Sequence, residues 1–260
     1  MNAILLCAGF GTRLYPITKN RPNALLDIAG RPVVDYQMDL LLDVPALTEV
    51  HVVANGRFAS EFYRWWPAWR DRCAEQEVAI YLHINGSTDE EHKLGEVGDL
   101  AFVLRRAGAP NGAIVSAGYN IYRFPLAPLW EESRASGESL VLAFPETHHA
   151  VLQQHTVIEF DDSKHLTGVH DQPEHPPAQW VCPNILFLQP DAANLVDDYL
   201  AGAGSPHRLA GFLSYLVERQ PVRVAVMPEG SMRLQINTRY MYEKARDLLA
   251  REPVILARSA

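Results

Sequence analysis

Residues 6–16 read LCAGFGTRLYP. They continue an apolar run, AILLCA at residues 3–8, that stops at Gly9-Phe10-Gly11. A short continuous apolar run ending in paired glycines predicts a buried strand feeding a tight loop. Without a Cβ, such a loop lets backbone N–H groups close on an anion. Arg13 adds a planar fork of donors suited to phosphate oxygens. On these residues alone, an ordinary turn and a phosphate loop are both open readings.

Further along the chain, 32–43 (PVVDYQMDLLLD) starts with Pro and carries apolar residues at helical spacing, which predicts a helix. Strands are predicted over 49–54, 78–84, 113–117 and 139–144, with helices over 60–75, 97–106 and 126–136. This alternation argues for an α/β fold with a mostly parallel sheet and helices on both faces. Beyond it, 155–160 and 165–170 read as a hairpin around Asp161-Asp162, and 171–178 as a Pro-rich loop. Residues 181–188 and 222–227 read as strands, and 240–250 as a closing helix. No repeat or linker divides the chain, so 1–260 is taken as a single domain.

The 260 residues are 48% hydrophobic and 21% charged, ordinary for a globular protein. A net charge of −8 makes the chain a poor partner for a nucleic-acid backbone. No apolar run approaches the roughly 20 residues that span a bilayer. The apolar start lacks a basic n-region and reads as a first strand, not a signal peptide. Cys7, Cys73 and Cys182 have no metal-type spacing; Cys7 reads as a buried thiol, and a cytoplasmic location is expected. Trp65, Trp66 and Trp69 read as packing residues and not as a ligand cage.

Over a longer span the motif is specific. Residues 6–32, LCAGFGTRLYPITKNRPNALLDIAGRP, resemble the signature of sugar-phosphate and choline-phosphate nucleotidyltransferases, L-A-x-G-x-G-T-R-L-x-P-L-T, then P-K-x-L-L, then G-x-P. HKLGEVGD at 92–99 resembles the family's R-L-G-A-x-G-D, SAGYN at 116–120 its strand-end G-D-N, DQP at 171–173 its E-K-P, and QINT at 235–238 its D-I-N-T. The resemblance implies a three-layer, Rossmann-like (GT-A-like) mixed sheet. It implies a nucleotide-binding half over about 1–120 and an acceptor-binding half over about 121–260. By it, Leu6, Ala8, Gly9, Gly11, Thr12, Arg13 and Gly95 contact a nucleoside triphosphate or nucleotide-sugar-like ligand, and Gln172 and Asn184 lie on the acceptor side. Arg13 would also make the family's catalytic phosphate contact.

The implied reaction is attack by an acceptor phosphate oxygen on the α-phosphorus of the triphosphate, with release of pyrophosphate. Two polyanions must be brought together, so positioning and charge compensation do most of the work. The family uses Mg²⁺ for much of this, and Mg²⁺ takes oxygen ligands, usually one or two of them carboxylates. Here the sequence departs from the family. Tyr119 and Gln235 stand where the family has metal-binding aspartates, and Asn23 and Gln172 where it has lysines; the tryptophan preceding Gln235's segment is also missing. A phenol near neutral pH and an amide carry no charge for Mg²⁺. Losing one preorganised charge-stabilising group typically costs ~10²–10³ in rate. The expectation is therefore no ordinary metal site and impaired or lost catalysis, unless Asp99, Glu96 or Asp171 supplies oxygens instead. Three consequences are weighed: an altered or weak transferase, a non-catalytic binding relative, and a structural subunit with Tyr119 packed into the vacated metal space. The histidines at 148, 149, 155, 165, 170 and 175 match no zinc pattern and read as solvated or hydrogen-bonded; Asp89-Glu90-Glu91 reads as a solvated acidic run.

Overall fold

A computed structural model describes residues 1–251. The N-terminal half contains β1 (Asn2–Leu6), the short pair β2 (Asp27–Ile28) and β3 (Arg31–Pro32), α1 (Val33–Leu42), β4 (Glu49–Ala54), α2 (Ala59–Ala74), β5 (Ala79–Ile84), α3 (Glu96–Ala107) and β6 (Ala113–Ala117). It continues with β7 (Asn120–Tyr122), α4 (Ala127–Ser136), β8 (Ser139–Pro145), the single turn α5 (His149–Leu152), β9 (Thr156–Phe160) and β10 (Leu166–Asp171). Then come β11 (Trp180–Cys182), β12 (Ile185–Leu188), α6 (Pro190–Ala201), α7 (Leu209–Val217), β13 (Val222–Val226), β14 (Arg233–Gln235) and α8 (Arg239–Arg251).

The large sheet has the order β10-β9-β11-β8-β12-β6-β1-β4-β5, with β13 also pairing β8. Strands β10, β11 and β12 run against the others, so the sheet is mixed and mostly parallel. The pleat sends alternate residues to opposite faces. From the first strand, Ala3, Leu5 and Cys7 join a core with Val34 and Met38 of α1, Phe62 and Trp69 of α2 and Trp130 of α4. Ile4, Leu6 and Ala8 join the other core, with Val97 and Leu100 of α3, Val196 of α6 and Phe212 of α7. That alternation builds three layers, and each aliphatic side chain so buried contributes roughly 1.5–3 kcal/mol before entropy is counted. A third cluster packs Leu14, Leu26, Ile28 and Val33 against Ile121, Leu234, Ile236, Ala245 and Leu249.

The hairpin expected around 161–162 forms, with β9 antiparallel to β10. The strand expected over 181–188 is interrupted. Pro183 has no N–H for the ladder, and β11 and β12 pair with β8 in registers two residues apart. Past the break, β11 passes from the β6 side to pair with β9, so the sheet forks there. Helices α6 and α7 were not anticipated. The segment LAGFLSYLV of α7 is short and apolar nearly all round, so no amphipathic stripe marks it. No helix among the described residues is long and apolar enough to cross a membrane.

The tryptophan group on α2 serves packing. Trp65 and Trp69 both donate their indole N–H to Asp35 Oδ1 on α1, at 2.7 and 2.8 Å. Replacing Asp35 by Ala strands both donors, and hydrogen bonds to charged groups contribute about 1.5–3 kcal/mol each. Urea unfolding of Asp35→Ala should show a loss of about 2–3 kcal/mol, with Asp35→Asn, which keeps an acceptor, losing less.

Candidate active site

The C-terminal ends of β1 and β6 and the break between β11 and β12 open into one cleft of about 320 Å³. Open α/β sheets place ligands at such strand ends. Leu6, Ala8, Gly9, Gly11, Thr12 and Arg13 form one wall. Asn23, Tyr119 and Gln235 line it too, as do Gly95, Gln172 and Asn184. Every residue expected to contact the ligand, and Tyr119, Gln235, Asn23 and Gln172 with them, thus borders the same space.

The glycine loop is held from behind. Asn55, fully buried, donates to Ala8 O at 2.9 Å, and Thr18 Oγ1 donates to Gly11 O at 2.6 Å. Gly11 is left-handed (φ 64°) and opens a single 3₁₀ turn over Thr12–Leu14. A Cβ on Gly9 would meet nothing within 4 Å, so that backbone faces open space in the cleft. Arg13 and Thr12 are exposed at the rim. Gly95 is constrained differently: a Cβ there would lie 2.4 Å from Pro206 O. The first amides of α3 are satisfied by Pro206 and His207 carbonyls, with Val97 N to Pro206 O at 2.9 Å and Glu96 N to His207 O at 3.2 Å.

The replaced positions make specific contacts. Tyr119 donates its hydroxyl to Glu96 Oε1 at 3.2 Å, and Asn184 Nδ2 donates to the same oxygen at 2.7 Å. Leu209 N donates to Glu96 Oε2 at 3.1 Å. Burial raises the Glu96 carboxyl, opposed chiefly by the Leu209 amide. Burial also raises the Tyr119 phenol, and the Glu96 charge adds to that, so the phenol stays protonated. Asn23 is buried, with Oδ1 accepting from Ala24 N at 3.1 Å. Gln235 Oε1 accepts from Asn237 Nδ2 at 3.0 Å, and Gln172 Nε2 donates to Gln154 O at 3.1 Å.

The other carboxylates are engaged as well. Asp99 is buried, accepts from Asn85 Nδ2 at 2.6 Å and is pushed by burial up to about 7. Asp171 lies outside the cleft lining and pairs with Arg208 at 2.6 Å. Glu90 pairs with Lys93. Three of the six histidines singled out from the sequence pair with glutamates: His148 with Glu146 at 2.9 Å, His165 with Glu138 at 3.3 Å and His170 with Glu159 at 2.8 Å. Among the described residues no group of three or more His, Cys, Asp or Glu could hold a metal ion.

Several lining residues escaped the sequence reading, notably His155, Thr156, His207, Arg208 and Asn237. His207 and Arg208 come from the loop before α7, which carries no motif. Gln37 of α1 was also missed; buried, it donates to Ala117 O at 2.8 Å and Asn120 O at 2.9 Å and so fixes the turn that carries Tyr119.

A family model described as nucleotidyl transferase matches residues 2–235. The chain belongs to that family. The family generally uses Mg²⁺. Bifunctional protein GlmU of Methanococcus maripaludis (strain C7) is 58% identical over 137 residues, 46% of this chain and 33% of that protein, so the chain spans about a third of that relative's length. Glucose-1-phosphate thymidylyltransferase of Neisseria gonorrhoeae is 20% identical over 254 residues, covering 94% of this chain and 81% of that one. Among solved structures, a Bacillus anthracis protein assigned as a glucose-1-phosphate thymidylyltransferase, in complex with sucrose, superposes with a TM-score of 0.82. That match has 18% identity and covers 97% of this chain and 96% of that one. The three-layer nucleotidyltransferase fold expected from the sequence is the fold observed.

Asp99 has a pH consequence. Its folded-state pKa lies above the ordinary carboxyl value, so its contribution to stability is complete below that value and is lost as pH rises through about 7. Asp99→Asn keeps an acceptor for Asn85 and removes the titration. Between about pH 5 and pH 8, the wild type should lose more unfolding free energy than the variant, by an amount on the order of a few kcal/mol in denaturant titrations.

Proposed function

We propose that this nucleotidyltransferase-family protein binds a nucleoside triphosphate or a nucleotide-sugar-like ligand in its cleft and has lost most Mg²⁺-dependent nucleotidyl transfer. The observation that carries this reading is the state of Glu96. Both of its oxygens accept hydrogen bonds, from Tyr119, Asn184 and the Leu209 amide, where a metal site would need free anionic oxygens. Tyr119 and Gln235 add no charge, and Asp99 is held by Asn85 with its acidity suppressed. This donor set does not suit a hexacoordinate hard cation.

The nucleotide end keeps its equipment. Open backbone at Gly9, the left-handed turn at Gly11 and the free guanidinium of Arg13 suit the phosphates of a triphosphate. Leu6, Ala8, Thr12 and Gly95 border the same space, and Gln172 and Asn184 border it from the acceptor half. The relatives' names indicate sugar 1-phosphates as the acceptor class. Three free, buried cysteines suit a reducing cytoplasm, and the net charge of −8 disfavours nucleic acid.

Calorimetric titration with UTP, dTTP, CTP and GTP tests this. At least one should bind, with an affinity that differs by less than about threefold between excess Mg²⁺ and EDTA. Strong stimulation by Mg²⁺ of both binding and pyrophosphate release would instead identify a working transferase. The combined variant Tyr119→Asp, Gln235→Asp, Asn23→Lys removes one of the three donors to Glu96 and returns three charges. Its pyrophosphate release with Mg²⁺ and glucose 1-phosphate should rise by ~10² or more over the parent.

A further inference from the structure

The two edges of the large sheet are built differently. At one edge, β10 carries a register irregularity between Leu166 and Gly168 and ends on Asp171, which pairs with Arg208. Irregular registers and charges keep an open edge from joining another strand. At the other edge, β5 has neither. Its sequence AIYLHI holds no Asp, Glu, Lys, Arg, Gly or Pro, and it keeps one unbroken register with β4. Ala79 N donates to Thr48 O at 2.9 Å and Asn85 N to Ala54 O at 3.0 Å. In a parallel ladder every second residue bonds to a given neighbour, so Ile80, Leu82 and Ile84 turn N–H and C=O outward. No described residue receives them.

Apolar and aromatic side chains flank this edge on both faces. On the α2 face, Leu82 and Ile84 are only half-buried. Trp65 and Trp69 turn to Asp35 of α1, and Arg72 to Asp39. Tyr63, Trp66 and Arg70 follow one another at helical spacing on the other side of α2, away from α1 and towards the sheet edge. Tyr63 is 59% exposed, and Arg70 lies over the Trp66 ring at 5.4 Å. On the α3 face, Tyr81 is 46% exposed and stacks on His51, with ring centroids 5.1 Å apart. His83 Nε2 meets His51 Nδ1 at 3.0 Å. Tyr81 and His83 are thus ordered before any partner arrives, which lowers the entropy cost of association.

The strand is complementary to itself. Antiparallel pairing about a two-fold axis at Leu82 sets Leu82 opposite the partner's Leu82 and Ile80 opposite the partner's Ile84. That register engages the outward N–H and C=O groups of all three residues in each copy, and it aligns an aliphatic row with an aliphatic row. On the α3 face, Tyr81 falls opposite the partner's His83. The same axis turns the Tyr63, Trp66 and Arg70 stripe towards its own copy, and Tyr, Trp and Arg are the residue types that anchor interfaces. Parallel addition would leave a fresh edge on each copy and run on into a filament, whereas the two-fold arrangement closes. We propose that the protein forms a two-fold dimer in which β5 pairs antiparallel with β5 of a second copy, joining the two large sheets into one. This interface is independent of what the cleft binds.

Sedimentation velocity of the full chain, from low to high micromolar concentration at physiological ionic strength, tests this. A dimer, or a monomer–dimer equilibrium, should appear with no larger species. Leu82→Pro removes an outward N–H and none that bonds β4, and it should weaken the dimer at least about tenfold. Tyr81→Lys, at an exposed position, should weaken it as well. Amide exchange at Ile80, Leu82 and Ile84 should slow as protein concentration rises. Leu82→Cys should give a disulfide-linked dimer on mild oxidation, because directly opposite Cα atoms in such a pair lie about 5.5 Å apart. Ala79→Cys should not, since its position falls opposite the partner's Asn85; the native Cys7, Cys73 and Cys182 are buried and give no background. A monomer at every concentration overturns the proposal and leaves the edge to a strand of a different protein. So does a dimer of unchanged affinity in Leu82→Pro and Tyr81→Lys, or one in which Leu82→Cys stays unlinked. If Leu82→Pro does not fold, Tyr81→Lys and Leu82→Cys carry the same comparison.

Discussion

The carboxylate of Glu96 holds the cleft together. Its oxygens receive Tyr119 from the turn between β6 and β7, Asn184 from the break between β11 and β12, and the backbone amide that opens α7. Together with α3, on which it sits, four separate parts of the chain meet at one half-buried charge. Charge-assisted hydrogen bonds in a poorly solvated place are roughly twice as strong as neutral ones, and a buried acceptor without them would be expensive. The same saturation that organises the cleft leaves the carboxylate little capacity for any other partner. Architecture and chemistry compete here for one functional group.

Electrostatics then divide the cleft into two unequal ends. The glycine loop offers backbone donors and one free guanidinium, held in place by Asn55 and Thr18. The opposite wall has neutral amides at Gln172 and Asn184. In between lie Asp99 and Glu96, both with suppressed acidity. With the Asp99 carboxyl pushed up to about 7, that part of the cleft repels phosphate-bearing ligands less at and below neutral pH.

The family and the fold were legible from residues 6–32, because the glycine-loop signature is a contiguous motif. The parallel block was legible for a similar reason: its strands are continuous apolar runs, alternating with helices of recognisable period. What escaped reading depends on distant pairing. The fork at Pro183 follows from a register shift against β8, and no local pattern in 181–188 encodes which neighbour each half takes. Helix α7 is uniformly apolar because it is packed against the sheet and against α6, and periodicity says nothing about such segments. In the site, Tyr119 and Gln235 drew notice because the motif resemblance leads one to expect aspartates there. The lock on Glu96 could not, since Asn184 and Leu209 lie 88 and 113 residues away in sequence.

The third hydrophobic cluster binds the opening of the chain to its far segment: Leu14, Leu26 and Ile28 pack on Leu234, Ile236, Ala245 and Leu249. More than two hundred residues separate the glycine loop from the segment that completes the apolar cluster around Leu14. During translation that loop leaves the ribosome without its support, and the cleft matures late, when α8 docks. Loss of the α8 contact would therefore be felt at the opposite terminus, in the shape of the loop, before it disturbed the central sheet.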